Sequence, residues 1–408
     1  MIGMIDADVC VIGAGPVGGT LACRLADAGV STVIVDRGPL PPMAHPAFDG
    51  RAYAVAAGSR VLLIEAGLWA RLPDPPNPIL DIRVSDGRVG RPPSRLHLHF
   101  NHQEIGENPE PFGWMVEARG LRRALNAHVW ELEHLRVFAP AEARVQRSAE
   151  GVRVQIAGGP LIACRLVIAA EGRNSPLRDA ADIPVTRFDY NQTGIVCAIS
   201  HELPHHNMAL EHFLPSGPFA VLPMAPSTDA EAGGAPNVSA VVWTERTRIA
   251  ETMLRLDDVR FAREIRRRLG DHLGSVHTVG RRWVYPLSAM LAHRYVDTRL
   301  ALAGDSAHGI HPIAGQGLNL GFRDVMELAR LVIEANNAGE DVGSPELLAR
   351  YQRARRQDNL AMMVMTDGLD RLFSTNNPAA RLVRDLGIAA VDRTRPLKSV
   401  FMRRAMGA

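Results

Sequence analysis

The chain has 408 residues, a length that suits two closely packed domains or one large domain. Hydrophobic residues make up 46% and charged residues 22%, so the composition argues against a disordered or fibrous protein. The formal net charge of +2 is too small to indicate a nucleic-acid-binding surface. No stretch of about 18 uninterrupted apolar residues is present, so we expect no membrane-spanning helix.

The cysteines and the N-terminus predict a cytoplasmic location. The cysteines are far apart and form no C-x-x-C pair; they are Cys10, Cys23, Cys164 and Cys197. This pattern is typical of reduced cysteines in the core of a cytosolic protein. The first residues include Asp6 and Asp8 and no basic segment, so we expect no signal peptide.

The first predicted elements are a strand, a turn, a helix and a second strand. Apolar residues 7–12 lead into the turn Gly13-Ala14-Gly15-Pro16-Val17-Gly18, and the helical pattern that follows ends at Gly29. A second apolar strand over residues 32–35 runs into Asp36 and Arg37. This order is typical of the βαβ unit of a doubly wound sheet that binds a dinucleotide.

Each glycine of the turn has a predicted role. Gly13 permits the tight turn, Gly15 lets a pyrophosphate approach the backbone, and Gly18 allows close packing of the helix. The phosphate then lies at the helix N-terminus, and the carboxylate of Asp36 can accept hydrogen bonds from the adenosine ribose. The predicted contacts of this first segment are Gly13, Gly15, Pro16, Val17, Gly18, Asp36 and Arg37.

The middle of the chain has the patterns of sheet interrupted by helix. Short alternating segments after about residue 70 predict antiparallel strands, and residues 115–134 predict a helix. Residues 166–170 form an apolar strand, and the stretch 181–285 is again sheet-like. After one more buried strand at 300–303, which leads into Gly304 and Asp305, the chain from Gln316 onward is mostly helical.

A second motif follows that last strand. Gly304-Asp305-Ser306-Ala307-His308 precedes His311-Pro312-Ile313-Ala314-Gly315-Gln316-Gly317-Leu318-Asn319-Leu320-Gly321-Phe322-Arg323-Asp324. On these motifs the sequence resembles the ubiquinone-biosynthesis aromatic hydroxylases of the UbiH/UbiF type, which belong to the flavin monooxygenases related to p-hydroxybenzoate hydroxylase. The resemblance extends over essentially the whole chain and includes Asp49-Gly50-Arg51-Ala52 and Tyr285-Pro286-Leu287.

The resemblance implies an α/β fold in which a Rossmann-like FAD-binding domain of the p-hydroxybenzoate hydroxylase (GR2) type is interleaved with an antiparallel-sheet substrate domain. We expect the FAD-binding domain to comprise 1–75, 113–180 and 286–345. The substrate domain then comprises 76–112 and 181–285, and 346–408 form a helical C-terminal region.

The resemblance also assigns cofactor contacts in the second motif. Asp305, at a strand end, is placed to accept hydrogen bonds from ribityl hydroxyls, and the amides of Leu318 and Asn319 would face the N1 and O2 edge of the flavin. The remaining contacts implied by the family are Arg51, Arg119, Gly304, Pro312, Gly315 and Gly317. The family usually has Asp-Gly where this chain has Glu171-Gly172, which leaves docking of the reductant open.

The implied reaction uses FAD, NAD(P)H as reductant and O2 as co-substrate to hydroxylate a prenylated phenol or quinone precursor. We assign no catalytic acid or base, because the cofactor supplies the difficult chemistry. We predict no metal, although His308 and His311 lie three residues apart. Two alternatives stay open: an FAD-dependent reductase or dehydrogenase of a hydrophobic compound, and a flavin-binding, non-catalytic subunit of a biosynthetic complex.

The C-terminal segment 393–404 is basic and amphipathic. It contains Arg393, Arg395, Lys398, Arg403 and Arg404 interleaved with apolar residues. Such a segment either rests on the inner face of the cytoplasmic membrane, which would suit a prenylated substrate, or packs on the body or on a partner of a ubiquinone-biosynthesis complex.

Overall fold

The computed structural model describes the whole chain apart from residues 1–2, 41–49, 92–96, 105–108, 227–234, 311–314, 374–397, 399–401, 403–405 and 407–408. The predicted contact Pro312 therefore lies outside the described residues. The basic segment 393–404 does so too, except for Lys398 and Met402.

The strands, in chain order, are β1 (Met4–Ile12), β2 (Thr32–Val35), β3 (Ala52–Ala56), β4 (Asn77–Ile79), β5 (Asp81–Asp86), β6 (His97–Asn101), β7 (Gly113–Glu117), β8 (Leu135–Phe138), β9 (Ala143–Arg147), β10 (Val152–Ile156), β11 (Leu161–Ala169), β12 (Val185–His201), β13 (Met208–Leu214), β14 (Gly217–Met224), β15 (Val238–Arg246), β16 (Val276–Ala292), β17 (Val296–Asp297), β18 (Leu300–Leu302) and β19 (His308–Gly309). The helices are α1 (Pro16–Asp27), α2 (Ala57–Glu65), α3 (Ala118–His128), α4 (Pro176–Ala180), α5 (Thr247–Leu254), α6 (Asp258–Leu269), α7 (Gln316–Asn337) and α8 (Pro345–Phe373).

The first sheet is the doubly wound sheet expected from the opening motif. Its order is β17-β18-β11-β1-β2-β8, and β1 pairs in parallel with both β2 and β11. Strands β9 and β10 extend the sheet from β11 as an antiparallel pair. Its central strands are nearly continuous apolar runs because both faces are covered, as in parallel sheets generally. This arrangement brings the carboxyl ends of β1, β2 and β18 to one edge.

The second sheet is almost entirely antiparallel. Its order is β19-β16-β12-β15-β14-β13-β5-β6, with one parallel pair between β13 and β5. Its two faces bury different clusters. One face packs against α5 and α6 through Trp243, Phe261 and Ile265, and the other packs toward β3, β4 and β7, which form a small third sheet.

Two local sequence-based expectations were wrong. Residues 115–117 belong to β7, and the helix after them ends at His128 rather than at residue 134. The stretch 181–285 also contains the helices α5 and α6. In α6, Phe261, Ile265 and Leu269 are buried at four-residue spacing, but many arginines between them hide this helical pattern.

No helix in the described part of the chain is long and apolar enough to cross a membrane. Two described residues of the basic C-terminal segment contact the body of the protein. Lys398 Nζ lies 2.8 Å from Glu104 Oε2, and Met402 is buried with Leu98 and Phe100. At these two positions the segment therefore packs on the second sheet.

Candidate functional site

The glycine turn between β1 and α1 leaves an open space at the helix N-terminus. Gly13 has a φ of +105°, and a Cβ atom at Gly18 would overlap the carbonyl oxygen of Gly13. Gly15 differs, because a Cβ atom there would have no heavy atom within 4 Å. Gly13 and Gly18 are thus required by packing within the protein, whereas Gly15 leaves room for a ligand beside the unpaired amides of α1.

Asp36 is held at the end of β2 by the same turn. Its Oδ2 accepts a hydrogen bond from Ala14 N at 2.6 Å, and its Oδ1 accepts one from Gly38 N at 2.7 Å. A carboxylate has about four acceptor positions, so both oxygens keep capacity for a ligand hydroxyl. The position fits the predicted contact with an adenosine ribose.

The second motif begins with a single 3-10 turn, Gly304–Ser306, after β18. The amide of Gly304 donates to the buried carboxylate of Asp324 at 2.9 Å. Asp305 is half exposed and forms an ion pair with Arg173, with 3.0 Å between Oδ2 and Nε. Asp305 is therefore fixed at the strand end with part of its carboxylate accessible.

The N-terminus of α7 faces the same space. Gly315 precedes the helix in a left-handed conformation with a φ of +63°, and the first amides of the helix have no intrahelical acceptor. The Asn319 side chain donates to Ala54 O at 2.8 Å and accepts from Ala56 N at 2.9 Å. Asn319 thus fastens the first turn of α7 to β3, which explains an asparagine at this position without a ligand.

Glu171, which replaces the aspartate usual in the family, makes local hydrogen bonds. Its Oε2 accepts from Ser175 Oγ at 2.7 Å and from Leu177 N at 3.2 Å. Burial raises the pKa of this carboxyl, and the two hydrogen bonds and the charge of Arg37 partly offset the effect. The longer glutamate side chain therefore reaches the start of α4.

One cavity of about 1610 Å³ joins these segments. The predicted contacts that line it are Gly13, Gly15, Pro16, Val17, Asp36, Arg37, Asp305, Gly315, Gly317 and Leu318. A cavity of this volume, lined by residues of both motifs and open at Gly15, has room for a dinucleotide such as FAD.

Other predicted contacts lie outside this lining. Gly18, Gly304 and Asn319 are packed behind it. The Arg51 guanidinium lies over the Trp283 ring, 4.1 Å from its centroid, and Arg119 Nε pairs with Glu117 Oε2 at 2.6 Å. The cofactor roles of all these residues stay predictions.

His308, considered above as a metal ligand, belongs to a buried polar network. Its Nε2 shares a hydrogen bond with Asp324, which also accepts from Arg355 Nε at 2.8 Å. No cluster of three potential metal ligands occurs within the described ranges.

The opposite wall of the cavity is apolar and comes from the second sheet and its neighbours. It includes Ile79, Ile82, Val84, Leu98, Phe100, Phe112, Ala209, Phe213, Ala220, Leu222 and Met402. Glu211 on β13 also lines this wall, and no motif in the sequence predicted it as a site residue. A lone acid in Met208-Ala209-Leu210-Glu211-His212-Phe213-Leu214 was the available signal.

Comparison with known proteins agrees with this site. The FAD binding domain family matches residues 6–366. A ubiquinone hydroxylase, UbiL of Rhodospirillum rubrum, is 46% identical over 402 residues that cover 98% of this chain and 90% of the relative. The 3-demethoxyubiquinol 3-hydroxylase of Escherichia coli is 30% identical and covers 98% of both chains.

The chain belongs to the FAD binding domain family of flavoproteins, and within it to the ubiquinone-biosynthesis hydroxylases. The p-nitrophenol 4-monooxygenase PnpA of Pseudomonas putida has a similar fold, with a TM-score of 0.76 at 18% identity over 99% of this chain and 97% of that one. The predicted family, fold class and FAD cofactor are thereby confirmed. The division into domains at the stated boundaries stays a prediction.

Proposed function

We propose that this protein is an FAD-dependent monooxygenase that uses NAD(P)H and O2 to hydroxylate the aromatic ring of a polyprenylphenol in ubiquinone biosynthesis. The observation that carries the proposal is the single cavity, in which residues of the dinucleotide motifs and an apolar wall share one space. Relatives across the full length of the chain are named as ubiquinone hydroxylases, which supports the substrate class.

The first sheet would hold the cofactor. The open space at Gly15 would take the pyrophosphate, and Asp36 and Asp305 would bind ribose and ribityl hydroxyls. The bound FAD would supply the activation of O2. The amides of Leu318 and Asn319 near the start of α7 would stabilise negative charge on the ring system of the cofactor.

The second sheet would hold the substrate. Its wall presents side chains such as Phe100, Phe213 and Leu222, which suit a prenyl chain and exclude water from the reacting ring. The roles of the chain are therefore to bind, to orient the ring carbon and to keep the site dry.

The first experiment measures O2 uptake and NAD(P)H oxidation by FAD-loaded protein with and without short-chain prenylphenols. Mass spectrometry under ¹⁸O2 should find a product that has gained one labelled oxygen atom. NAD(P)H oxidation that depends on substrate but consumes no O2 would favour the reductase, and FAD binding without substrate-stimulated oxidation would favour the non-catalytic subunit.

Peripheral contact with the inner face of the cytoplasmic membrane, and membership of a ubiquinone-biosynthesis complex, are further parts of the proposal. A prenylated substrate is delivered most directly from a lipid surface, and 393–404 carry basic residues that would favour anionic lipid. Co-sedimentation with anionic vesicles, compared with neutral vesicles, tests the first part. Equal recovery of the protein with anionic and with neutral vesicles would contradict the proposed membrane contact.

A further inference from the structure

On strands β5, β6 and β12–β15 of the second sheet, the cavity-facing side has one ionisable side chain in an apolar row. The paired positions across five strands are Val84 on β5, Glu211 on β13, Ala220 on β14, Val242 on β15 and Val196 on β12. All five line the cavity. Among the described lining residues of β5, β6 and β12–β15, Glu211 alone can ionise.

The direction of the Glu211 side chain follows from strand alternation. Ala209 and Phe213, two residues away on either side, belong to the cluster on the cavity side, whereas Leu210 and Leu214 belong to the cluster around α5 and α6. Glu211 is 9% exposed. Its side chain makes no hydrogen bond or ion pair with the residues that the structure describes.

A buried carboxyl without a partner is costly for a protein. Burial raises the pKa of Glu211 to about 8, and no neighbouring charge contributes to the shift. Structural stability therefore gives no reason for a glutamate here. A group supplied by the ligand would remove this cost.

Glu211 remains the candidate proton acceptor on the cavity wall when the charged and titratable residues around it are considered. Asp86 lies on the same side of β5 as Val84, which faces the cavity, and is buried. His212 faces the other side of the sheet, where its Nδ1 shares a hydrogen bond with Ser85 Oγ at 2.8 Å. Lys398 lies near Phe100 and pairs with Glu104. Strand β14 contributes no charged residue.

We propose that the Glu211 carboxylate accepts the proton of the substrate's phenolic hydroxyl, and that this contact both orients the ring and activates it for hydroxylation. The inference rests on the proposed function and adds a catalytic residue to it. The phenol O–H bond breaks, an O–H bond forms on the carboxyl, and the electron pair stays on the phenolate, which makes the ring carbons more nucleophilic. After hydroxylation the carboxyl returns the proton to the product oxygen.

The environment suits this transfer. An ordinary carboxylate is a weak base toward a phenol, whose pKa is about 10 when it is free. Raising the pKa of the carboxyl to about 8 brings it closer to the pKa of the phenol and makes the proton transfer more favourable. General-base assistance of this kind contributes roughly 10²–10⁴-fold to a rate.

The first test compares the FAD-loaded wild type with Glu211→Gln on a short-chain prenylphenol. We expect the FAD content to be unchanged and kcat to fall by about 10²–10⁴-fold. The wild-type rate should rise with pH through about 8, and the variant should lack this step. Fluorine on the ring makes the hydroxyl more acidic, so the loss in the variant should shrink for the fluorinated substrate.

A second test reads the same contact without turnover. The phenolate of 4-nitrophenol absorbs visible light and its neutral form does not, so the ionisation of the bound probe can be titrated in the oxidised, FAD-loaded protein. A carboxyl in contact with the probe stabilises its phenolate, and Glu211→Leu removes that contact. We expect the midpoint to rise by about one pH unit or more, since one hydrogen bond to a charged group is worth that much.

Glu245→Gln is the matched control. Glu245 is a buried glutamate on the opposite face of the same sheet, where it pairs with Arg268 at 3.2 Å. This variant should leave the midpoint of the bound probe where it is in the wild type.

The outcomes separate this inference from the proposed function. If the wild type hydroxylates prenylphenols and both Glu211 variants keep its rate, pH profile and probe midpoint, the role of Glu211 is wrong and the function stands. If no phenol is hydroxylated but the midpoint shifts as described, the function is wrong and the contact stands. If the probe binds the wild type and Glu211→Leu leaves its midpoint unchanged, the contact is wrong.

Discussion

Two buried carboxyls, Asp324 and Glu211, have opposite electrostatic surroundings. Burial alone would raise the pKa of Asp324, but His308 and Arg355 outweigh it and lower the pKa below its ordinary value. Glu211 has no such partners, and burial raises its pKa to about 8. Asp324 is therefore a structural anion, whereas Glu211 can exchange a proton near neutral pH.

The pH dependence of stability should reveal Glu211 even without substrate. Its pKa in the folded protein lies above its ordinary value of 4.5, so the stabilising contribution is complete below about pH 4.5 and is lost as the pH rises through about 8. Between these values the free energy of unfolding of the wild type should fall relative to Glu211→Gln by up to about 1.4 kcal/mol per pH unit. Urea unfolding at pH 5 and pH 8 measures this difference.

Glu211→Leu is the control for that measurement. It also lacks a titrating group and should show the same pH dependence as the glutamine variant. Parallel wild-type and variant curves across the pH range would show that the carboxyl does not titrate in this window.

Gly15 offers a test of cofactor binding that leaves the fold intact. A methyl group at Gly15 meets no protein atom within 4 Å and would project into the space assigned to the pyrophosphate. We expect Gly15→Ala to weaken FAD binding by about tenfold or more, which corresponds to about 1.4 kcal/mol. Its thermal unfolding midpoint without FAD should match that of the wild type.

Gly18→Ala is the matched comparison, because its Cβ would overlap the Gly13 carbonyl oxygen. It should lower the unfolding midpoint without FAD. If Gly15→Ala bound FAD as tightly as the wild type, the pyrophosphate would have to lie elsewhere.

At the scale of elements, Asp324 joins α7 to the 3-10 turn after β18, to β19 and to α8. It is 0% exposed and accepts hydrogen bonds from the Gly304 amide, His308, Arg355 and Asn359. Asp324→Asn would remove the buried carboxylate that pairs with His308 and Arg355 and would leave Arg355 only its ion pair with Asp358, so we expect a loss of about 3–5 kcal/mol in the free energy of unfolding. Denaturant unfolding checks this value.

The control for that change is Asp358→Asn. Asp358 pairs with Arg355 and Arg323 but lies at the accessible edge of the network. Its loss should cost about 1 kcal/mol or less. Equal losses in the two variants would contradict the proposed difference between the interior and the edge of the network.

Elements defined by local patterns were predicted well, and those defined by tertiary packing were not. The strand, turn and helix around Gly13–Gly18 follow from glycine spacing and apolar runs, and the structure has them as expected. Helix α6 was missed because it buries only a narrow stripe between charged residues, and α5 because it is short and buries only Ala250. The start of α3 was misplaced because residues 113–117 pair with a distant strand, β3.

For the molecule as a whole, FAD should act as a stabilising ligand. At a free concentration 100 times its Kd, FAD adds about 2.7 kcal/mol to the free energy of unfolding. Thermal unfolding at increasing FAD concentrations should therefore give a rising midpoint. Gly15→Ala should need a correspondingly higher concentration for the same rise, and a midpoint independent of FAD would contradict binding to the folded state.

Candidate residues on the cofactor side of the cavity could be named from the sequence, whereas those of the apolar wall could not, for a physical reason. Most of the residues predicted to bind the dinucleotide lie in short loops, where spacing along the chain fixes their proximity. The substrate wall arises from strands far apart in sequence, such as β5 and β13, whose register decides which side chains face the cavity. Glu211 could therefore be recognised only from the structure, which pairs it with Val84 and Ala220 across the sheet.

The pairing of β12 with β16 bears on how such enzymes can change substrates. The segment 185–292, which begins with β12 and ends with β16, leaves the first sheet and returns to it. Its two end residues, Val185 and Ala292, pair directly with each other. An exchange of the whole segment between relatives would require only two cuts that lie side by side, while the glycine turn and α7 stay untouched. The architecture thus allows evolution, or an engineer who also adapts β5 and β6, to replace much of the substrate wall and keep the redox centre.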